Sequence, residues 1–421
     1  MKPNDLASAT ELAACFLVAL MGASSAAPRP TPPPTKMPAQ RPTMMPRVPS
    51  LPPGAPQLGG PLPGLTKTEL AAFGAGLDEF EHAEDAAGGL GPIFNHVSCV
   101  SCHNAGGTGG GSSVVVTRFG QLGANGFDPL ESLGGSLLQS QAIVPAAQEV
   151  VPAQANVTAF RQSTPVFGLG LIEAIPDEAI LHQATRPPIN GIRGRANQVR
   201  DVVSGATRIG RFGWKAQQAT VLAFSADAYL NEMGITNRFF PVENAPNGDQ
   251  QLLAATDTIA DPEDTTDPAT GKADIDAAAD FMRFLAPPLP LPPTPSSTAG
   301  RTLFTSPLTD CAVCHTPTFM TGPNPVTALS RKPVNLYSDL LVHQMGSLGD
   351  GITQGTVTGK EMRTAPLWGL RLSAPYLHDG RAPSIDAAIR AHDGEAAGSR
   401  DKYLRLLPIQ RQQLMDFLRS L

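Results

Sequence analysis

Two short stretches of this chain carry residue types able to do chemistry together. Cys99-Val100-Ser101-Cys102-His103 and Cys311-Ala312-Val313-Cys314-His315 share the spacing CxxCH, which is the attachment sequence for a c-type haem. Three residues apart on a helical turn, two thiols reach the two vinyl groups of one porphyrin. The adjacent imidazole then supplies the proximal nitrogen to iron. The competing chemistries explain less. A zinc ribbon brings its cysteine pairs together on one ion, whereas these pairs lie far apart in the sequence. Disulfide exchange uses CxxC but has no need of the trailing histidine twice. The remaining cysteine, Cys15, falls in the leader. Two covalently bound haem c groups are therefore expected, held by Cys99, Cys102, His103, Cys311, Cys314 and His315.

The elements that must position these motifs are read from the rest of the chain. With 31 Lys+Arg against 37 Asp+Glu and a formal charge of −6, there is no basic surplus to neutralise a phosphate backbone, so a nucleic-acid partner is not expected. Aromatic residues make up only 5%, and two buried porphyrins would fill core space that aromatic rings usually occupy. Residues 1–27 read as a secretory signal, with Lys2, an apolar run from Leu12 to Met21 that is too short to span a bilayer, and a cleavage point near Ala26 or Ala27. The string LAAC ending at Cys15 resembles a lipidation site, but the apolar run continues past it. Residues 28–65 read as a proline-rich disordered linker. A periplasmic or otherwise exported protein that does not span the membrane follows.

Structure is expected from Thr66, where Thr66 and Glu69 have capping-box spacing. The proline cluster Pro287 to Pro295 divides an N-terminal haem domain, 66–286, from a C-terminal cytochrome-c-like haem domain, 296–421. Helical patterns at 216–233, 274–285, 384–392 and 409–421, set between long Gly/Pro loops, predict a mainly α fold. The one period-two strand pattern is 113–119.

Several strings, FNHVSCVSCHNAGG, GLGLIEAIPD, IGRFGWKA, NEMGITN, YSDLLVHQMG, RTAPLWGLRLSAPYLHDGRA and AIRAHDGEA, resemble the bacterial dihaem oxidoreductase family, itself similar to dihaem cytochrome c peroxidases and to the dihaem enzyme that matures methylamine dehydrogenase. The resemblance implies two cytochrome-c-like domains whose haems face a shared interface. It implies His392, in AIRAHDGEA, as distal ligand of the second haem iron, with Met345 the competitor. It makes Arg381, beside His378, a candidate propionate partner. Glu232 matches the glutamate that serves the peroxidases as acid–base catalyst, handling the protons of peroxide. The register for their upstream glutamine falls on Phe224, and Gln217 and Gln218 do not fall in place. Glu173 is an acidic residue without a counterpart. Trp214 and Trp368 stand in matching motifs, either as redox relays or as bulky core residues. Gln162, Ser373 and Pro375 match the ligands of an interdomain calcium, with glutamine where asparagine is usual.

The expected function is an exported dihaem peroxidase. Electrons from a small donor protein, a cytochrome c or cupredoxin, enter at the Cys311–His315 haem and reduce hydrogen peroxide at the Cys99–His103 haem. A non-enzymatic electron carrier, and an oxidase or oxygenase acting on an organic or protein substrate, are the alternatives.

Overall fold

The structure is a computed structural model, and it describes residues 58–421. The expected signal segment, Cys15 and residues 28–57 of the proline-rich stretch lie outside the described residues. All described residues fall within one compact unit.

Two helix pairs organise the molecule, and they are built alike. The first joins Lys67–Glu81 to Asp274–Phe284; the second joins Pro295–Phe304 to Pro408–Leu418. Lys67–Glu81 begins where its spacing predicts. The Thr66 backbone N–H donates to Glu69 Oε2 (2.6 Å), and the Glu69 N–H donates back to Thr66 Oγ1 (3.3 Å). In each pair a glycine permits close approach. A Cβ at Gly76 would strike the carbonyl oxygen of Ala277, and one at Gly300 would strike that of Gln413. One turn further on, each glycine is followed by a buried phenylalanine. Phe80 packs on Phe281 with ring centroids 4.6 Å apart, and Phe304 packs on Phe417 at 5.3 Å. The same two phenylalanines lie against the two motif histidines, Phe80 at 6.1 Å from His103 and Phe304 at 6.3 Å from His315.

The fold is mixed rather than mainly α. Among the described residues, short antiparallel ladders make five small sheets, most of them two strands of two or three residues. Strands so short leave no visible period in the sequence. The longest, Val115–Gly123, overlaps the expected strand; it pairs with Val157–Gln162, which sequence reading missed, in a register that sets Val116 opposite Arg161 and Arg118 opposite Ala159. The helix expected over 216–233 is Val221–Ala228, capped by Thr220 and continued by a wider π turn, Tyr229–Met233, that ends at Gly234 with φ of 68°.

The end of the proline-rich stretch is folded, contrary to its composition. Leu62 is buried, its N–H donates to Phe284 O (2.7 Å), and the Ala286 N–H donates to Gly60 O (3.0 Å). A buried ionic cluster joins distant segments. Asp350 Oδ1 lies 3.0 Å from Lys215 Nζ and Asp350 Oδ2 lies 2.7 Å from Arg161 Nη2, with Lys215 and Asp350 fully enclosed. Burial lowers Lys215 to about 8, and Asp350 opposes that fall. Among the described residues no helix is long and apolar enough to cross a membrane.

Candidate functional site

Each CxxCH motif forms one helical turn, Cys99–Cys102 and Cys311–Cys314, and in both the histidine ends it. The His103 N–H donates to Cys99 O (3.0 Å) and the His315 N–H to Cys311 O (2.9 Å), which folds the imidazole back beside the thiols. Each ring is then fixed through Nδ1, on Gly110 O at 3.3 Å for His103 and on Tyr337 O at 2.9 Å for His315. That contact selects the tautomer whose Nε2 lone pair is left for a metal. Burial lowers both imidazoles to about 4, so they are neutral at ordinary pH.

Burial also pushes the thiols up, to about 12 for Cys99 and Cys102 and to about 11 for Cys311. A redox-exchange CxxC needs its attacking thiol lowered instead, and this is the opposite environment. Each motif lines a largely apolar cavity, about 150 Å³ for the first and about 290 Å³ for the second. Two thiols, a neutral imidazole with one free nitrogen and an apolar cavity form a donor set that fits a haem at each motif.

The two cavities differ in their remaining walls. The first contains Glu232, on the π turn, together with Asp227, Arg118 and Arg161. Asn95 Nδ2 donates to Glu232 Oε2 at 2.8 Å, and the Asn95 N–H donates to the backbone carbonyl of Glu232 at 2.8 Å, so Asn95 holds one carboxylate oxygen and the main chain of the same residue. Burial raises Glu232 above the ordinary carboxylate range, opposed by Arg118, the Asn95 amide and His96. Asp227 is pushed to about 6, mainly by burial, with Arg118 opposing and Glu232 adding to the rise. Arg118 reaches the cavity because it shares a strand face with Val116. It donates through Nη1 to Ser136 Oγ (3.3 Å), while its Nε is buried without a partner. Sequence reading missed Arg118, Asp227 and Asn95. The alternation of Val116 and Arg118 on one strand was the available signal. Gln217, set aside on register, also lines this cavity, as do Phe224 and His96.

The second cavity contains His392 and Met345. His392 follows the helix Ile385–Arg390, capped by Ser384. Its Nδ1 lies 2.8 Å from Ala388 O, which leaves Nε2 free, and burial lowers it. His343 lines the same cavity with both ring nitrogens engaged, Nε2 on Asp339 and Nδ1 on Glu395, each at 2.9 Å. Burial disfavours its charge, but those carboxylates and the nearby Cys314 hold it well above its usual value.

Trp214 and Gln162 line both cavities, whereas Trp368 lines only the second. Trp214 Nε1 donates to Gln162 O (2.8 Å), and its ring meets His378 edge-on at 6.1 Å. Gln162, Ser373 and Pro375 come together on the wall of the second cavity, where the Gln162 side chain donates to Ser112 O.

Arg381 lies outside the lining of both cavities. It is paired with Asp379, and its side chain is 47% exposed. Arg363 and Arg400 line the second cavity instead. Arg363 is buried, with Nε donating to Gly213 O at 2.7 Å. Glu173 is a structural residue: its Oε1 accepts from the Val221 N–H (2.8 Å) and its Oε2 pairs with Arg283 (2.9 Å). His82 is exposed, and His182 sits on the helix Asp177–Ala184; neither lines either of these two cavities.

A family profile described as "Di-haem oxidoreductase, putative peroxidase" matches residues 149–421. No curated protein matches the chain. Among solved structures, hydrazine synthase of Kuenenia stuttgartiensis is similar at 15% identity and a TM-score of 0.40, covering 90% of this chain and 100% of that one. A MauG-like protein associated with microbial copper homeostasis is similar at 17% identity and a TM-score of 0.38, covering 88% and 94%. Likeness of that degree leaves function to be argued from the site.

Proposed function

The chain belongs to the di-haem oxidoreductase family, and from that premise we propose that it is an exported peroxidase with two covalently held haem c groups. One observation carries the reading. Glu232, a half-buried carboxylate that accepts from Asn95 and lies beside Arg118, shares its cavity with Cys99, Cys102 and His103.

Haem iron, when bound, supplies the redox chemistry of peroxide reduction. The chain's own residues supply position and protons. Glu232 takes the proton from one peroxide oxygen and returns it to the other, and burial tunes it toward that exchange. Arg118 brings fixed positive charge beside Glu232, in a cavity where no family glutamine is in register, and Gln217 adds an amide. In the second cavity, His315 and His392 are the residues whose Nε2 atoms would hold the haem iron, with Met345 lining the same cavity. That site accepts electrons from a small donor protein. Trp214, lining both cavities, lies on the route between them. Gln162, Ser373 and Pro375 would offer oxygen donors to a calcium ion.

The test is peroxide consumption by purified holoprotein with a reduced small donor. Turnover that falls ~10²–10⁴-fold in Glu232→Gln, with haem content unchanged, supports the reading. Unchanged turnover in that variant removes Glu232 from its role.

A further inference from the structure

Outside both cavities, three carboxylates converge on the loops that follow the Glu232 turn. Glu243, Asp261 and Glu263 each offer one oxygen, and these oxygens lie within 4.8 Å of one another. Glu243 is 6% exposed. Its Oε1 accepts from the Asn244 N–H (2.9 Å), but its Oε2 is buried with no partner among the described residues. The other two acids are held in place by Thr236, which is fully buried. Thr236 Oγ1 donates to Asp261 Oδ1 (2.8 Å), and the Thr236 N–H donates to Glu263 Oε2 (2.8 Å). Gly89 lets Glu263 come close, since a Cβ there would sit 2.7 Å from Glu263 Cβ.

An unpartnered buried carboxylate oxygen is costly, and two further carboxylates nearby raise that cost. A hard cation removes both penalties together. The donors are all oxygen, with no imidazole or thiolate among them, and they sit on irregular loops rather than on an octahedral cage. That combination selects calcium over magnesium or a transition metal. We propose that Glu243, Asp261 and Glu263 form a calcium site, separate from the position at Gln162, Ser373 and Pro375 and independent of the haem reading. The ion would brace the segment between Gly234 and Asp264. Asp264 in turn caps the helix Asp274–Phe284, its Oδ1 accepting from the Asp274 N–H (2.8 Å).

Holoprotein stripped with a chelator, then titrated calorimetrically with calcium alone and melted with and without it, tests the site. Wild type should bind calcium and gain a few degrees of melting temperature at saturation. Glu243→Gln should lose one equivalent of calcium. It should also melt higher than wild type in chelator, because it no longer buries an unpartnered carboxylate, and it should lose most of the calcium-induced gain. Asp261→Asn, at an exposed position that does not put folding at risk, should weaken the same equivalent at least ~10-fold. Glu243→Gln and Asp261→Asn proteins that keep wild-type stoichiometry, affinity and melting response overturn the proposal. So does wild type that binds no calcium beyond what Gln162→Ala removes.

Discussion

The two CxxCH cavities stand on nearly the same foundation and differ in their far walls. Below, each has a one-turn helix, a buried neutral histidine tied through Nδ1 to a carbonyl, and a phenylalanine placed by a glycine at a helix crossing. Above, the first has Glu232, Asp227 and Arg118, while the second has His392 and Met345. Holding a haem and using it are thus separate tasks. The repeated helix pair backs both motifs alike, whereas the far walls come from elements that are not repeated: the strand with Arg118 and the helix and π turn with Asp227 and Glu232 in the first, and the residues after the helix Ile385–Arg390 in the second.

That contrast can be broken most directly by removing one anchor at a time. Cys99→Ser with Cys102→Ser should lower the mass by one porphyrin and take peroxide turnover to background. Cys311→Ser with Cys314→Ser should also lower it by one, yet leave a haem whose spectrum still responds to peroxide. A peroxide response surviving in the first double variant and lost in the second would reverse the assignment of roles. Next in size is Glu232→Gln, with a ~10²–10⁴-fold loss of turnover, set against little change in the spectrum of the second site.

The pH profile sharpens the same point. Glu232 must be ionised to take a proton, and burial raises its folded pKa above the ordinary carboxylate value. Turnover should therefore rise with pH through that raised value, and the acid limb should vanish in Glu232→Gln. A smaller effect is expected from His392→Ala, which opens the second site: its low-spin spectrum should turn high-spin, with turnover falling less than in Glu232→Gln. Met345→Ala should leave that spectrum low-spin. The reverse pattern would assign the ligand to Met345.

Much of the anchoring was legible in the sequence, because a motif whose chemistry lies in adjacent residues can be read locally. The caps at Thr66 and Ser384 were legible for the same reason. The helix-pair repeat was not. Gly76 with Phe80 and Gly300 with Phe304 have equal spacing, but a glycine acquires meaning only from the backbone that crosses it. The alternation of Val116 and Arg118 shows which strand face Arg118 takes, but not that this face meets the turn carrying Glu232, which comes from more than a hundred residues away. The residues from Leu58 to Leu65 looked like spacer because composition describes the chain alone, whereas Leu62 is buried by a partner more than two hundred residues on. Arg381 is paired with Asp379, two residues away, a local contact that the sequence spacing did not signal.

Lys215 is the residue after Trp214, and Asp350 holds it and Arg161 together out of water. Electron tunnelling weakens steeply with separation, so a relay is only as constant as the backbone that carries it. Cutting the shared carboxylate would strand two cations, at a cost of about 3–5 kcal/mol for a broken buried pair. The indole that borders both chambers is therefore moored from behind, and a relay through it, if the proposed function holds, would draw its constancy from that buried anchor.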